Sequence, residues 1–155
     1  MALRQSVQIA QNLPSISANG FEPIAIVGDY VTVAGVVAND VIELGILPAG
    51  YVPIGIKLAM DDVDTGATLT LDCGIITGTP RDTVTVRTCG NEAFAASTIG
   101  QTGGLAIDTK ADLSLLAPAT VDRSFGLKVG TGAAGLVVGA RIRATLTARP
   151  ALNGV

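Results

Sequence analysis

Gly130-Thr131-Gly132-Ala133-Ala134-Gly135 carries the spacing G-x-G-x-x-G directly after an apolar run. In a dinucleotide-binding fold such glycines permit a tight turn and let the backbone approach a pyrophosphate at a helix N-terminus. That chemistry also needs a helix, a second strand and an acid about 20 residues on for the ribose. Here Gly135 leads into Leu136-Val137-Val138-Gly139 and an alternating segment, and no Asp or Glu follows Asp122. The expectation is a strand-to-strand loop. Asp61, Asp62 and Asp64 offer the oxygen ligands calcium takes, yet the later Glu and flanking helices of an EF-hand are missing. They read as a solvated hairpin tip. Cys73 and Cys89 are not at a metal-ligand spacing and read as small buried hydrophobes, with a cross-strand disulfide as the alternative.

Other chemistry is thinly supported. The 155 residues contain no His, so the commonest general base and metal ligand is missing. No serine lies in G-x-S-x-G, no phosphate-binding G-x-x-x-x-G-K occurs, and the 13 carboxylates single out no catalytic pair. Neither an enzyme nor a cofactor is expected. A net charge of −3 and few aromatics (three Phe, two Tyr, no Trp) argue against nucleic acid as a partner. No run of 18 apolar residues is present to span a membrane. Met1 to Ser6 lack the apolar stretch of a signal peptide, so synthesis is expected in the cytoplasm.

One charge distribution stands out. From Arg123 onward there are five basic residues (Arg123, Lys128, Arg141, Arg143, Arg149) and no acids. Arg141, Arg143 and Arg149 fall on the outward face of a single strand. That stripe is either a solvated face that discourages edge pairing or a contact surface. As a contact it would meet carboxylates of another chain, Asp61, Asp62 and Asp64 being the candidates.

The elements that carry these residues read as strands and turns. Val52, Ile54, Ile56, Leu58 and Met60 alternate with Tyr51, Pro53, Gly55, Lys57 and Ala59, and Ala67–Ile76 repeats the pattern. With Asp61–Gly66 between them, these two runs predict a β-hairpin. Pro53 cannot donate to a ladder and belongs near an edge or a strand start. Further strands are expected in the apolar stretch 24–37, at Val41–Leu47 before the turn Pro48-Ala49-Gly50, and at Asp82–Thr88. Others are expected near Leu113 and Leu115, around Phe125–Val129, and over Ala140–Arg149. The one helical turn is expected at Asn91–Ser97, with Asn91 as N-cap. About eight strands predict an all-β fold, a β-sandwich or jelly roll over residues 22–155. Residues 1–21, rich in Gln, Asn and Ser, are expected to be an N-terminal arm, frayed or ordered on a neighbouring subunit.

Charged residues make up 15% of the chain, well below the usual ~25%. A surface partly covered by other subunits is one explanation, and a stable monomer with a Thr-rich face fits the composition equally. The run Asp40 to Pro53, through Leu47-Pro48-Ala49-Gly50, resembles small virion proteins of tailed bacteriophages. So do Asp61-Asp62-Val63-Asp64-Thr65-Gly66-Ala67 and Leu69-Thr70-Leu71-Asp72-Cys73-Gly74, which follow it. The alanine-rich Asn91–Ser97 and the alternating Arg141–Thr147 complete a likeness spanning roughly residues 40–149. Cys73 departs from it, standing where a small aliphatic is usual. The resemblance implies a head decoration (cement) protein: a homotrimer on the capsid exterior that binds the major capsid protein and reinforces the expanded shell. The competing expectation is a lectin-like or receptor-binding module of a fibre or tail, for which Tyr30 and Tyr51 are the candidate stacking rings.

Overall fold

The computed structural model describes residues 3–5 and 23–151. They form nine strands: β1 (Leu3–Gln5), β2 (Ile24–Val31), β3 (Val41–Leu47), β4 (Tyr51–Met60), β5 (Leu71–Ile76), β6 (Phe94–Ser97), β7 (Gly104–Ile107), β8 (Arg123–Val129) and β9 (Arg141–Pro150). One sheet has the order β2-β9-β4-β7 and the other β1-β3-β8-β5-β6. Without β1 these are two four-stranded sheets in which the pair β4 and β5 lies against the pair β9 and β8. That is the rolled double-sheet order of a jelly roll. The expected all-β sandwich is the observed fold.

Alternation of side chains places the core between the sheets. Ile142, Ala144, Leu146 and Ala148 of β9 are buried at 0–2% exposure. They meet Ile42 and Leu44 of β3, Leu71 and Cys73 of β5, and Phe125, Leu127 and Val129 of β8 in one cluster. Where the sheets close on each other, β2 passes β3 so tightly that a Cβ on Gly28 would lie 2.2 Å from the Leu44 carbonyl oxygen. Backbone cannot yield there as a flexible side chain would. Gly28→Ala is expected to cost about 1–3 kcal/mol, read as a lower denaturant midpoint with unchanged slope.

Several sequence expectations are corrected. The runs around β4 and β5 do not form a hairpin. β4 pairs with β9 and β7, while β5 pairs with β8 and β6, so residues 61–70 carry the chain from one sheet to the other. Alternation reports which face is buried, and both strands bury one, but it does not report which neighbour pairs. Ile54, expected inward, is 41% exposed because the β4–β9 register shifts between Pro53 and Gly55. Pro53 lies where β4 has β9 on one side and extends beyond its pairing with β7, the edge-like position expected.

Asp82–Thr88 and Leu113–Leu115 are not strands, and β6 occupies the segment expected to be helical. Val84 and Val86 stand 92% and 76% exposed, so the Thr-Val alternation there has no second layer to bury against. The 3₁₀ turn lies later, at Ile99–Gln101. Of the expected N-terminal arm, β1 is described; residues 1–2 and 6–21 lie outside the described residues.

Candidate docking face

The two sheets differ in what covers their outer faces. Over β3, β8 and β5 the chain folds back as residues 77–92. Cys89 packs there on Val41 and Ile76, and its thiol donates to the Gly126 carbonyl (3.4 Å). Arg87 fixes this covering segment. Its Nη1 meets Glu43 Oε1 at 3.1 Å, Nη2 donates to Ser124 Oγ at 2.8 Å, and Nε donates to the Thr77 carbonyl at 2.8 Å. The Ser124 hydroxyl also donates to Glu43. Both ionic side chains are at most 1% exposed. Sequence reading passed over this pair. Its one legible sign is Glu43 itself, an acid at the centre of the apolar run Val41–Leu47, which demands a cation once both sheet faces are covered.

The outer face of β2-β9-β4-β7 has no such covering among the described residues. Register lays out its rows: Val27 beside Thr145, Lys57 and Ile107, then Asp29 beside Arg143, Ala59 and Leu105, then Val31 beside Arg141. Val27, Val31, Leu105 and Ile107 are 39–67% exposed. The stripe Arg141, Arg143 and Arg149 is exposed on β9 as expected. It guards no edge, because β9 lies between β2 and β4. Arg143 forks onto Asp29, Nε to Oδ1 at 2.5 Å and Nη2 to Oδ2 at 3.2 Å. That hydrogen bonding and charge raise the guanidinium pKa above its ordinary value. Arg141 donates its backbone N–H to Asp61 Oδ2 at 2.9 Å. A shallow cavity of about 280 Å³ lies between them, lined by Asp29, Ala59, Asp61, Arg141 and Arg143.

The three aspartates separate. Asp61 and Asp62 are exposed, but Asp64 is 0% exposed and faces into its own chain, so it is no solvated tip and presents nothing to a partner. Its carboxylate accepts the backbone N–H groups of Gly66 (2.9 Å), Thr68 (2.7 Å), Leu69 (2.7 Å) and Gly135 (2.8 Å), and the Thr68 hydroxyl (3.1 Å). Burial pushes its pKa up, but the amides of Gly135, Thr68, Leu69 and Gly66 outweigh it and hold the carboxyl well below the carboxylate range. Gly135 is the last glycine of the G-x-G-x-x-G loop. The anion met by its amide is therefore a side chain of the same molecule. Gly66 approaches that loop so closely that a Cβ would sit 2.5 Å from the Ala134 Cβ. Among the described residues no three His, Cys, Asp or Glu side chains gather as a metal site.

Cys73 and Cys89 are free and buried, on opposite faces of their sheet, so the disulfide alternative is overturned. Burial pushes the Cys89 thiol up to about 12 and raises Cys73 as well. Of the aromatics, Tyr30, Phe94 and Phe125 are at most 6% exposed and Tyr51 packs half-buried against the core, leaving no bare ring for sugar stacking among them.

No protein-family model and no curated protein matches this sequence. Solved structures do. A chain from the capsid of Ralstonia phage GP4 is 36% identical, with a TM-score of 0.91, over 98% of this chain and 100% of that one. This chain belongs to a family of phage capsid structural proteins. A chain from the cyanophage Pam1 capsid shares the fold, with a TM-score of 0.66 at 24% identity over 90% of this chain and 95% of that one. The capsid protein is thus a virion component whose jelly roll, among the described residues, has one outer face sealed by its own loop and the other left bare.

Proposed function

We propose that this capsid protein is a decoration (cement) protein. It binds the outside of the phage head as a homotrimer, contacts the major capsid protein and stabilises the expanded shell. The observation that carries the reading is the bare face of β2-β9-β4-β7. Its exposed Val27, Val31, Leu105 and Ile107 stand among charged and polar residues of the same rows, as the apolar part of an interface does. Arg141, Arg149 and Lys57 give it a basic cast, and among the described residues no carboxylate lies within ion-pair distance of them. Copies repeated over the lattice let modest contacts add. In this reading residues 22–155 are the docking domain and residues 1–21 its arm.

Light scattering across concentrations tests the trimer, and cosedimentation with emptied, expanded heads tests docking. The double variant Arg141→Glu, Arg149→Glu is expected to lose about tenfold or more in shell affinity, most steeply at low salt. Wild-type affinity in that variant removes the face from the reading, and a persistent wild-type monomer removes the trimer.

A further inference from the structure

β1 occupies a built slot. Leu3–Gln5 runs parallel to β3, with Leu3 opposite Val41, Arg4 opposite Ile42 and Gln5 opposite Glu43. Two buried carboxylates receive it. Arg4 Nε meets Asp40 Oδ2 at 3.1 Å while its Nη2 donates to the Gly35 carbonyl at 2.7 Å, and Gln5 Nε2 donates to Glu43 Oε2 at 3.1 Å. Asp40 is 1% exposed and Glu43 0%. Glu43 takes the arm on one oxygen and Arg87 on the other, so the slot is continuous with the ion pair that anchors the 77–92 covering.

The arm is joined to this slot by none of its nearest neighbours in sequence. Residues 6–23 separate β1 from β2, and β2 lies in the other sheet. Such a connection can reach about 60 Å, whereas a domain of this length is roughly 40 Å across. A slot on a second copy beside this one is within that reach. Each contact of β1 is kept when the strand comes from another copy, which makes exchange cheap where copies crowd.

We propose that β1 is exchanged between protomers: Leu3–Gln5 of one copy pairs with β3 of the next, and Arg4 of one meets Asp40 of another. The arm is then the strap that ties the oligomer together, and each docking slot is incomplete without a second chain. This rests on the oligomeric reading above.

Charge exchange tests it. Arg4→Asp and Asp40→Arg each set like charges against one another in every slot, and each is expected to weaken the oligomer about tenfold or more. Co-refolding the two full-length variants restores matched charges only if arms cross between chains. In a ring of three mixed copies two of the three slots match, so recovery of the native mass, with a melting temperature between those of the single variants and the wild type, supports exchange. Recovery only when both substitutions share one chain, with none on mixing, overturns it and leaves the oligomer standing. Single variants that keep the wild-type oligomer overturn it too. A monomeric wild type overturns the exchange and the oligomeric reading together.

Discussion

Arg87→Ala is expected to destabilise the protein by about 3–5 kcal/mol, lowering the melting temperature by roughly 10 °C. The substitution strands the Glu43 carboxylate, 0% exposed, without its cation and deprives Ser124 Oγ and the Thr77 carbonyl of their donors. A buried charge left unpaired costs far more than the pair contributes when intact. Glu43→Gln is expected to hurt comparably by stranding the guanidinium. The double variant should then cost clearly less than the sum of the two, with a coupling above about 1 kcal/mol in thermal or denaturant melts. Strictly additive losses would show that the two groups do not act as a pair. The same variants should expose the 77–92 covering, so that trypsin cuts after Arg81 before global unfolding.

Asp64→Asn carries the second large effect, a drop in melting temperature of about 5–10 °C at neutral pH. Asn keeps one acceptor oxygen and turns the other side of the clasp into a donor facing backbone amides. The pH dependence follows from the lowered folded-state pKa. The unfolded chain binds a proton on Asp64 near the ordinary value of 3.8, while the folded chain stays ionised to lower pH. The stabilisation is therefore fully present above that value and is lost as pH falls below it toward the folded pKa. Melts from pH 7 to 3 should show a constant gap between wild type and Asp64→Asn above about pH 5, narrowing below about pH 4. A gap that stays constant to pH 3 would sink the assignment of the charge to this clasp.

Both effects turn on a loop residue, Arg87 or Asp64, and loops are where the sequence is least legible. Period-two alternation marked β3, β4, β8 and β9 and named most of their inward residues, because burial on one face of a strand leaves a pattern local to that strand. It placed Arg141, Arg143 and Arg149 on one outward face for the same reason. β6 and β7, four residues each, are too short for a period to register. Ile54 was misassigned because a bulge shifts register without changing composition.

Residue types and alternation by themselves determined the all-β class, the inward face of the long strands and the basic stripe on β9. Each of these depends on neighbours within a few positions along the chain. Tertiary structure alone decided that Asp61–Thr70 crosses between sheets, that Asp64 receives Gly135 seventy-one positions away, and that Arg87 meets Glu43 forty-four away. It also decided which outer face stays bare among the described residues. Those outcomes are set by pairing across the jelly roll, where partners are chosen by geometry and by the demand that each buried charge find its complement.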